Sequence, residues 1–346
     1  MTPIPFFEPS SPLAAMRRPA AIAAAVLLLF LLAAAAWLAA ALRPRDVPVL
    51  MYHNVLADDE ATDAYKVSAS EFARQMDELD AAGFRTVLPN DLYLASRGLR
   101  PLPRKPVVIT FDDGYLGVRD FAEPVLARHG FRAICYAVTA RLGGEGAERA
   151  TFDSGPLLST NEAAAMAARG VVALGSHSRT HRPHPRSLCR EIPESRRELR
   201  RLTGARTKDY SYPHGLYGYP EMYEALRKGK FRTAVICEDR MFRYGTETNL
   251  LAIPRLTVYG GRHDVRVVSV DEGAGEIVLS NGGTALPLKA VVRDAKTGRI
   301  RGESDVQRIG GGSSAAFRVP AAAFAGGAYR IEARDKAGLF DYLPNP

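Results

Sequence analysis

The chain has 346 residues, 47% of them apolar and 24% charged, a globular composition long enough for roughly two domains plus extras. Lys and Arg outnumber Asp and Glu 46 to 38, giving a net charge of +8, but the cations are scattered among acids without a basic block or interleaved aromatics, which argues against nucleic acid as a partner. Cys135, Cys189 and Cys237 form no C-x-x-C pair, so neither a zinc knuckle nor a disulfide framework is indicated; Cys135 and Cys237 lie in apolar strand-like runs and read as small buried hydrophobes.

Residues 19–42 carry no charge and are rich in Ala and Leu. As a helix they extend roughly 36 Å, enough to cross a hydrocarbon core of about 30 Å with some tilt. The apolar run is longer than the about 7 to 15 residues of a cleaved signal peptide, and 18 residues precede it. An uncleaved, single-pass anchor is therefore expected. Arg17 and Arg18 on one side nearly balance Arg43 and Arg45 on the other, but the short N-terminal tail and large C-terminal body favour an N-inside anchor carrying an exported domain, periplasmic or extracellular.

After a short linker, VPVLMYH reads as a first buried strand. Ser68 and Glu71 have capping-box spacing, and Phe72, Met76 and Leu79 follow at helical intervals up to Gly83. FRTVLP, PVVITF, FRAICYAV, VVALGS, KDYSYP, FRTAVIC and LAIPRLTV supply further strands, with helical stretches over 120–129, 161–169, 193–202 and 220–228 between them. This alternation indicates a parallel sheet or an α/β barrel. From residue 265 the texture changes to short strands, VRVVSV, EIVLS, LKAVVRD, AAFRVP and YRIEARD, separated by Gly-containing turns, the pattern of a β-sandwich of the Ig or fibronectin kind. The expected division is a cytoplasmic tail over 1–18, an anchor over 19–42, a catalytic domain over 43–261 and an accessory sandwich over 262–346.

The chemistry-bearing residues follow two strands. Asp112 and Asp113 end the apolar run 106–111, and Gly114 lets the backbone turn behind them. His177 and His181 follow the run 171–174 in the corresponding place. Strand carboxyl ends face the site of an α/β barrel, so the acid pair and the histidines should meet there. Two histidines four apart with one carboxylate suit a divalent transition metal, and the second acid is then available as a base.

These residues make the chain resemble the polysaccharide deacetylases of carbohydrate esterase family 4. TFDDGY (110–115) resembles the first motif of that family, SHSRTH (176–181) the second, and YSYPHG (210–215) the aromatic-Pro-x-Gly motif. VLMYHNV, the helix after Ser68 and LRRLTGARTKDYSYP resemble the exported biofilm poly-N-acetylglucosamine deacetylases within it. The resemblance implies a distorted (β/α) barrel of seven strands, Asp112 as general base, and Asp113, His177 and His181 as ligands of a divalent metal, zinc being the expected ion. It also implies that the backbone N–H of His214 holds the oxyanion.

The sequence departs from the family where a Leu-x-x-His segment would supply an acid, since LAIPR offers Arg255 instead. Arg255 is then a candidate to orient Asp112 or to form a structural salt bridge, and His53 is a candidate acid or substrate contact. Tyr212, Tyr217 and Tyr219 are candidates to stack on sugar faces or to pack in the core. The expected activity is removal of N-acetyl groups from an N-acetylhexosamine polysaccharide, with O-acetyl ester hydrolysis and a catalytically weak, glycan-binding scaffold as the rivals. The C-terminal sandwich is open to a glycan or protein partner.

Overall fold

The computed structural model describes residues 12–41, 43–58, 60, 63–153, 155–261, 265–310 and 312–342. Helix α1 (Pro12–Ala41) is 30 residues long, and its side chains over 22–36 are exposed. Among the described residues no helix is long and apolar enough to cross a membrane. Both ends of the span expected over 19–42 fall outside the described side chains, as does most of the tail over 1–18.

The body is built on one parallel sheet of β1 (Val49–Tyr52), β2 (Pro106–Phe111), β3 (Ala133–Ala137), β4 (Val172–Ser176), β5 (Asp209–Ser211), β6 (Thr233–Ile236), β7 (Ile253–Pro254) and β8 (Leu256–Thr257), with Arg85–Thr86 pairing at the foot of β2. Strands β7 and β8 are halves of one extended segment broken at Arg255. Ile253 and Pro254 pair with Val235 and Ile236 of β6, while Leu256 and Thr257 pair with Leu50 and Met51 of β1. That segment joins the two edges of the sheet, so the strands close into a barrel with seven positions, the last shared by β7 and β8. Among the described residues, closure leaves this barrel sheet without an open edge at either side of the strand order.

Period-two alternation sorts the strand residues. Val49, Val108, Ile134, Tyr136, Val235 and Ile253 form an inner cluster contributed from around the barrel. Their neighbours Leu50, Val107, Ile109, Phe111 and Cys135 face outward, onto an outer cluster that includes Phe72, Met76 and Leu79 of α2 (Ala69–Ala81). Ser68 caps α2 by accepting from the Glu71 amide at 3.3 Å. Crossovers are supplied by α3 (Pro89–Ser96), a π-turn at Val118–Ala122 leading into α4 (Glu123–Arg128), α5 (Thr160–Arg169), α6 (Pro185–Thr203) and α7 (Pro220–Lys228).

Two expectations shift. Helix α6 begins at Pro185, eight residues before the predicted start, and carries Pro193 in its interior. A proline there lacks an N–H and crowds the preceding turn, which is why the sequence reads as a boundary. FRTVLP contributes only Arg85–Thr86, because Pro89 suits the first helical position and opens α3.

The C-terminal region consists of two antiparallel sheets. β9 (Val265–Asp271), β10 (Glu276–Asn281) and β14 (Ser313–Arg318) form one; β11 (Leu286–Asp294), β12 (Ile300–Glu303), β13 (Gln307–Ile309) and β15 (Tyr329–Asp335) form the other. Ile277, Leu279, Leu288, Ala290, Val292 and Phe317 share a core between them. β12 and β13 carry no clear alternation and are not read from the sequence. The chain then returns to the barrel, where Leu339 and Phe340 join the outer cluster and Arg74 donates to the Asp341 carbonyl at 2.7 Å.

Candidate active site

The site forms at the carboxyl ends of the barrel strands. Asp112 extends the ladder by one residue, its amide donating to Tyr52 O at 3.0 Å. The chain then turns through left-handed φ values of 71° at Asp113 and 88° at Gly114. After β4 the His177 amide likewise donates to Ala137 O at 2.9 Å, and Ser178 and His181 adopt φ of 62° and 60°. A third loop, following β5, holds His214 at φ 56°. Non-glycine residues held left-handed cost on the order of 1–3 kcal/mol each and persist where their surroundings over-determine them. Here Glu191 of α6 supplies part of that constraint, accepting from the Arg179 and Thr180 amides at 3.1 and 2.8 Å and from the Thr180 hydroxyl. Ser178 Oγ accepts from the His181 amide at 3.0 Å.

Asp113, His177 and His181 converge. Asp113 Oδ1 stands 3.6 Å from Nε2 of each histidine, and one donor atom from each of the three residues lies within 4.8 Å of the others. Two donors of a tetrahedral ion at about 2.1 Å would stand about 3.4 Å apart, so the spacing fits a metal. Asp113 Oδ1 is buried and has no hydrogen-bond partner among the described residues, an acceptor that a cation would satisfy. His177 Nδ1 faces the Ser211 carbonyl at 2.9 Å; a carbonyl only accepts, so the proton sits on Nδ1 and Nε2 keeps its lone pair toward Asp113. Burial, with His177 and His214 beside it, pushes His181 down to about 3, which keeps its imidazole neutral. Burial raises the Asp113 carboxyl. The residues present therefore fit a divalent metal.

Asp112 has a different environment. Arg255, itself fully buried, donates Nη1 to Oδ1 at 2.8 Å and Nη2 to Oδ2 at 2.7 Å, and Ser211 Oγ donates to Oδ2 at 3.2 Å. Burial alone would raise the Asp112 pKa, but the Arg255 guanidinium and then His177 outweigh it and hold the carboxyl well below the usual range. The two neighbouring acids thus separate into an ionised carboxylate locked by an arginine and a carboxylate with an open acceptor. Arg255 therefore meets Asp112 in a buried bidentate ion pair, a geometry that both readings of its role share.

A cleft of about 460 Å³ opens over these residues. His53 and His214 line it, and burial lowers the His53 pKa so that its ring is neutral, set edge-on to Tyr65 with centroids 4.9 Å apart. The His214 ring packs 4.4 Å from that of His181, with Nε2 3.3 Å from the His181 carbonyl. The tyrosine expectations need correction. Tyr212 borders the cleft but is only 1% exposed, with its hydroxyl donating to Leu251 O at 3.0 Å, so no ring face is free for a sugar. Tyr217 does not line the cleft; its hydroxyl is bound to Glu238. Cys237 also departs from expectation. Strand β6 stops at Ile236, which leaves Cys237 exposed at the cleft wall with Sγ 3.4 Å from Met51 Sδ.

Ser211 was not singled out in the sequence, yet its side chain touches Asp112 and its carbonyl orients His177. The signal was available, since polar Asp209 and Ser211 alternate with Tyr210 and so share an inward face. Of the aromatic cleft walls, Tyr65 and Tyr259 lie in loops and Phe152 in a two-residue strand, Thr151–Phe152, all too short for a periodic signal.

Residues 100–233 match the family model described as "Polysaccharide deacetylase". The chain is 26% identical over 200 residues to the putative polysaccharide deacetylase YxkH of Bacillus subtilis, covering 57% of this chain and 66% of that protein. It is 38% identical over 79 residues to the poly-beta-1,6-N-acetyl-D-glucosamine N-deacetylase of Escherichia coli K12, covering 22% of this chain and 12% of the relative. The matched region thus spans less than two thirds of either relative. Among solved structures, IcaB from Ammonifex degensii superposes with a TM-score of 0.53 at 27% identity, covering 62% of this chain and 91% of that one. The Streptococcus pyogenes deacetylase PplD shares the fold at a TM-score of 0.53 and 19% identity, over 63% of this chain and 94% of the other. Both acid–histidine motifs lie inside the matched stretch and their side chains gather at one end of the barrel, so residues 100–233 carry a polysaccharide deacetylase domain.

Proposed function

We propose that the protein is a metal-dependent hydrolase that removes N-acetyl groups from an N-acetylhexosamine polysaccharide of the poly-β-1,6-N-acetylglucosamine kind. The observation that carries the reading is the convergence of Asp113, His177 and His181 around the unpartnered Asp113 Oδ1, with the ionised Asp112 alongside. The name of the Escherichia coli relative supports the choice of polymer. The uncharged stretch 19–42 supports a membrane-held protein, N-inside, with the barrel outside the cytoplasm.

A divalent ion held by these three residues, zinc being the ion their donors suit, would acidify a water molecule and polarise the acetamide carbonyl. Asp112 takes the proton of the attacking water. Arg255 and Ser211 occupy three of the roughly four acceptor positions of its carboxylate, which leaves one for that proton. His214, at the cleft wall, presents its backbone N–H to the developing oxyanion. The proton that Asp112 accepts is passed on to the departing nitrogen as the C–N bond breaks, and His53, lining the same cleft, donates a hydrogen bond from its ring N–H to the substrate.

The test is acetate release from β-1,6- and β-1,4-linked N-acetylglucosamine oligomers and from an O-acetylated glycan, each with and without a chelator. Chelator-sensitive release from the β-1,6 oligomers supports the reading. Release from the O-acetylated glycan alone moves the assignment to an esterase, and glycan binding without any release moves it to an assembly role.

A further inference from the structure

Cations that look scattered in the sequence are gathered by the fold. In a parallel barrel the residues that precede each strand land at the end opposite the cleft. Arg104 and Lys105 precede β2, Arg132 precedes β3, Lys208 precedes β5 and Arg232 precedes β6. Short hydrogen bonds tie neighbouring strand starts together: Arg85 N donates to Lys105 O at 2.8 Å, Arg232 N to Lys208 O at 2.7 Å, and Arg132 N to the Thr86 side-chain Oγ1 at 2.7 Å. Arg232 and Arg97 both lie over the Tyr93 ring, at 5.0 and 5.4 Å from its centroid, and Arg45 reaches the Pro103 carbonyl at 3.1 Å.

These contacts, with the strand starts, place the cations at one end of the barrel, where Asp46 and Glu78 are the acids that share a cleft with Arg104 and Lys105. Among the described residues none of Arg104, Lys105, Arg132, Lys208, Lys230 and Arg232 has a carboxylate within ion-pair distance. Nearby Asp80 and Asp91 are taken by Arg85 and Arg100, each at 2.6 Å. The crowding registers at Lys208, whose ammonium is pushed below its usual range by burial and then by Arg196, Arg232 and Lys230.

Two further features share this end. The loop SRGLRPLPRK over 96–105 contains no acid, and its Leu99 is 70% exposed, the highest value among the large apolar side chains described. Helix α1 ends at Ala41, four residues before Arg45, a span of at most about 14 Å, so the apolar N-terminal segment leaves the body here.

We propose that the amino-terminal end of the barrel is a docking surface for an anionic lipid bilayer, with the cations against headgroup phosphates, Leu99 entering the interface and the cleft turned toward solvent. This deepens the membrane placement proposed above and is independent of the deacetylase chemistry. A neutral polymer would then reach the cleft without crossing the bilayer surface, and the like-charged amines formed on deacetylation would find no binding site on the cationic face.

The test uses the body starting at Arg43. All four core clusters begin at Val47 or later, so the body folds without the helix, and its binding does not depend on whether that helix spans a membrane. Co-sedimentation is measured with vesicles of phosphatidylcholine alone and with 30% phosphatidylglycerol added. We expect binding to the anionic vesicles only, weakened by 0.5 M salt, because surface attraction falls within a Debye length. Each Lys or Arg near such a surface contributes about fivefold in affinity. The combined R104E/K105E/K208E/K230E substitution should therefore abolish binding, L99A should weaken it, and R186E/R190E, at the opposite end of α6, should leave it intact. Binding that survives the fourfold reversal, or that is equal on neutral vesicles, overturns the proposal, as does capture by soluble polyglutamate without vesicle binding. The salt titration on the unaltered body decides between these outcomes even if the fourfold variant misfolds, and unchanged acetate release shows that a variant is folded.

Discussion

Arg255 and Asp112 form a buried, bidentate ion pair at the point where the barrel closes. The guanidinium meets both carboxylate oxygens, at 2.8 and 2.7 Å, from the residue that separates β7 from β8. It also donates to Thr110 Oγ1 at 3.2 Å, tying the closing segment to β2. One residue thus aims the proposed base and links the segment that completes the barrel. Removing one partner of a buried pair leaves the other charge unpaired and costs about 3–5 kcal/mol. We expect Arg255→Met to lose about that much stability in urea denaturation, and Asp112→Asn with Arg255→Met to be less destabilised than the sum of the single changes. Strict additivity would show that the pair is not coupled.

Asp112→Asn should remove the proton acceptor while leaving the three metal-donor residues in place. Positioned general bases contribute typically about 10²–10⁴-fold, so acetate release should fall by that factor while bound metal per chain stays at the parent value. Turnover at the parent rate would take the base role from Asp112. A joint loss of metal and activity would show instead that the two neighbouring acids act as a single ligand group.

The parts of the site carried by local pattern were legible in the sequence. TFDDGY and SHSRTH each sit at the end of an apolar run, and their place at the carboxyl ends of β2 and β4 fixes which end of the barrel they reach. The alternation of strands and helices indicates a parallel sheet or an α/β barrel, the seven positions are what the family resemblance implies, and the five longer strands of the C-terminal sandwich follow from their own β-rich runs. The break at Arg255 was not legible, because LAIPRLTV reads as one strand and only closure makes its two halves pair with opposite edges of the sheet. The sequence leaves Tyr212 and Tyr217 equally open to sugar stacking and to core packing, because nearness to the third motif says nothing about which way a ring points; Tyr212 packs in the core. The basic face was invisible for a related reason: its residues are far apart in the chain and meet only where parallel strands begin.

Metal removal and ligand substitution should have opposite effects on the empty protein. A buried acceptor without a partner costs about 1–3 kcal/mol, and Asp113 Oδ1 is such an atom. Asp113→Gly, which also suits the left-handed φ of 71° at that position, should therefore stabilise the chelated protein by up to about that amount while abolishing the stabilisation that added zinc gives the parent. For the parent, that stabilisation should reach about 2.7 kcal/mol when free metal is about 100 times the Kd. Thermal denaturation with and without zinc measures both effects. A parent melting curve that zinc leaves unmoved, with no metal bound, would remove the metal from the proposed mechanism.

Asp209 provides a test remote from the metal donors. It lies at the start of β5, at the foot of the barrel, where burial raises its carboxyl from 3.8 to about 6 although Thr233 Oγ1 donates to it. A carboxyl whose folded pKa lies above its unfolded value favours the fold while protonated. Its contribution is complete below about pH 3.8 and is lost as pH rises through about 6. The shift corresponds to about 3 kcal/mol of stability lost between acid and neutral pH. Asn in this place keeps the acceptor for Thr233 and does not titrate. Asp209→Asn should therefore be more stable than the parent by about 3 kcal/mol at pH 7.5, and the difference should shrink toward pH 4. Urea midpoints across that range, compared between the two proteins, cancel the titration of all other groups. Parallel curves with a constant offset would mean that Asp209 titrates alike in the folded and unfolded chains.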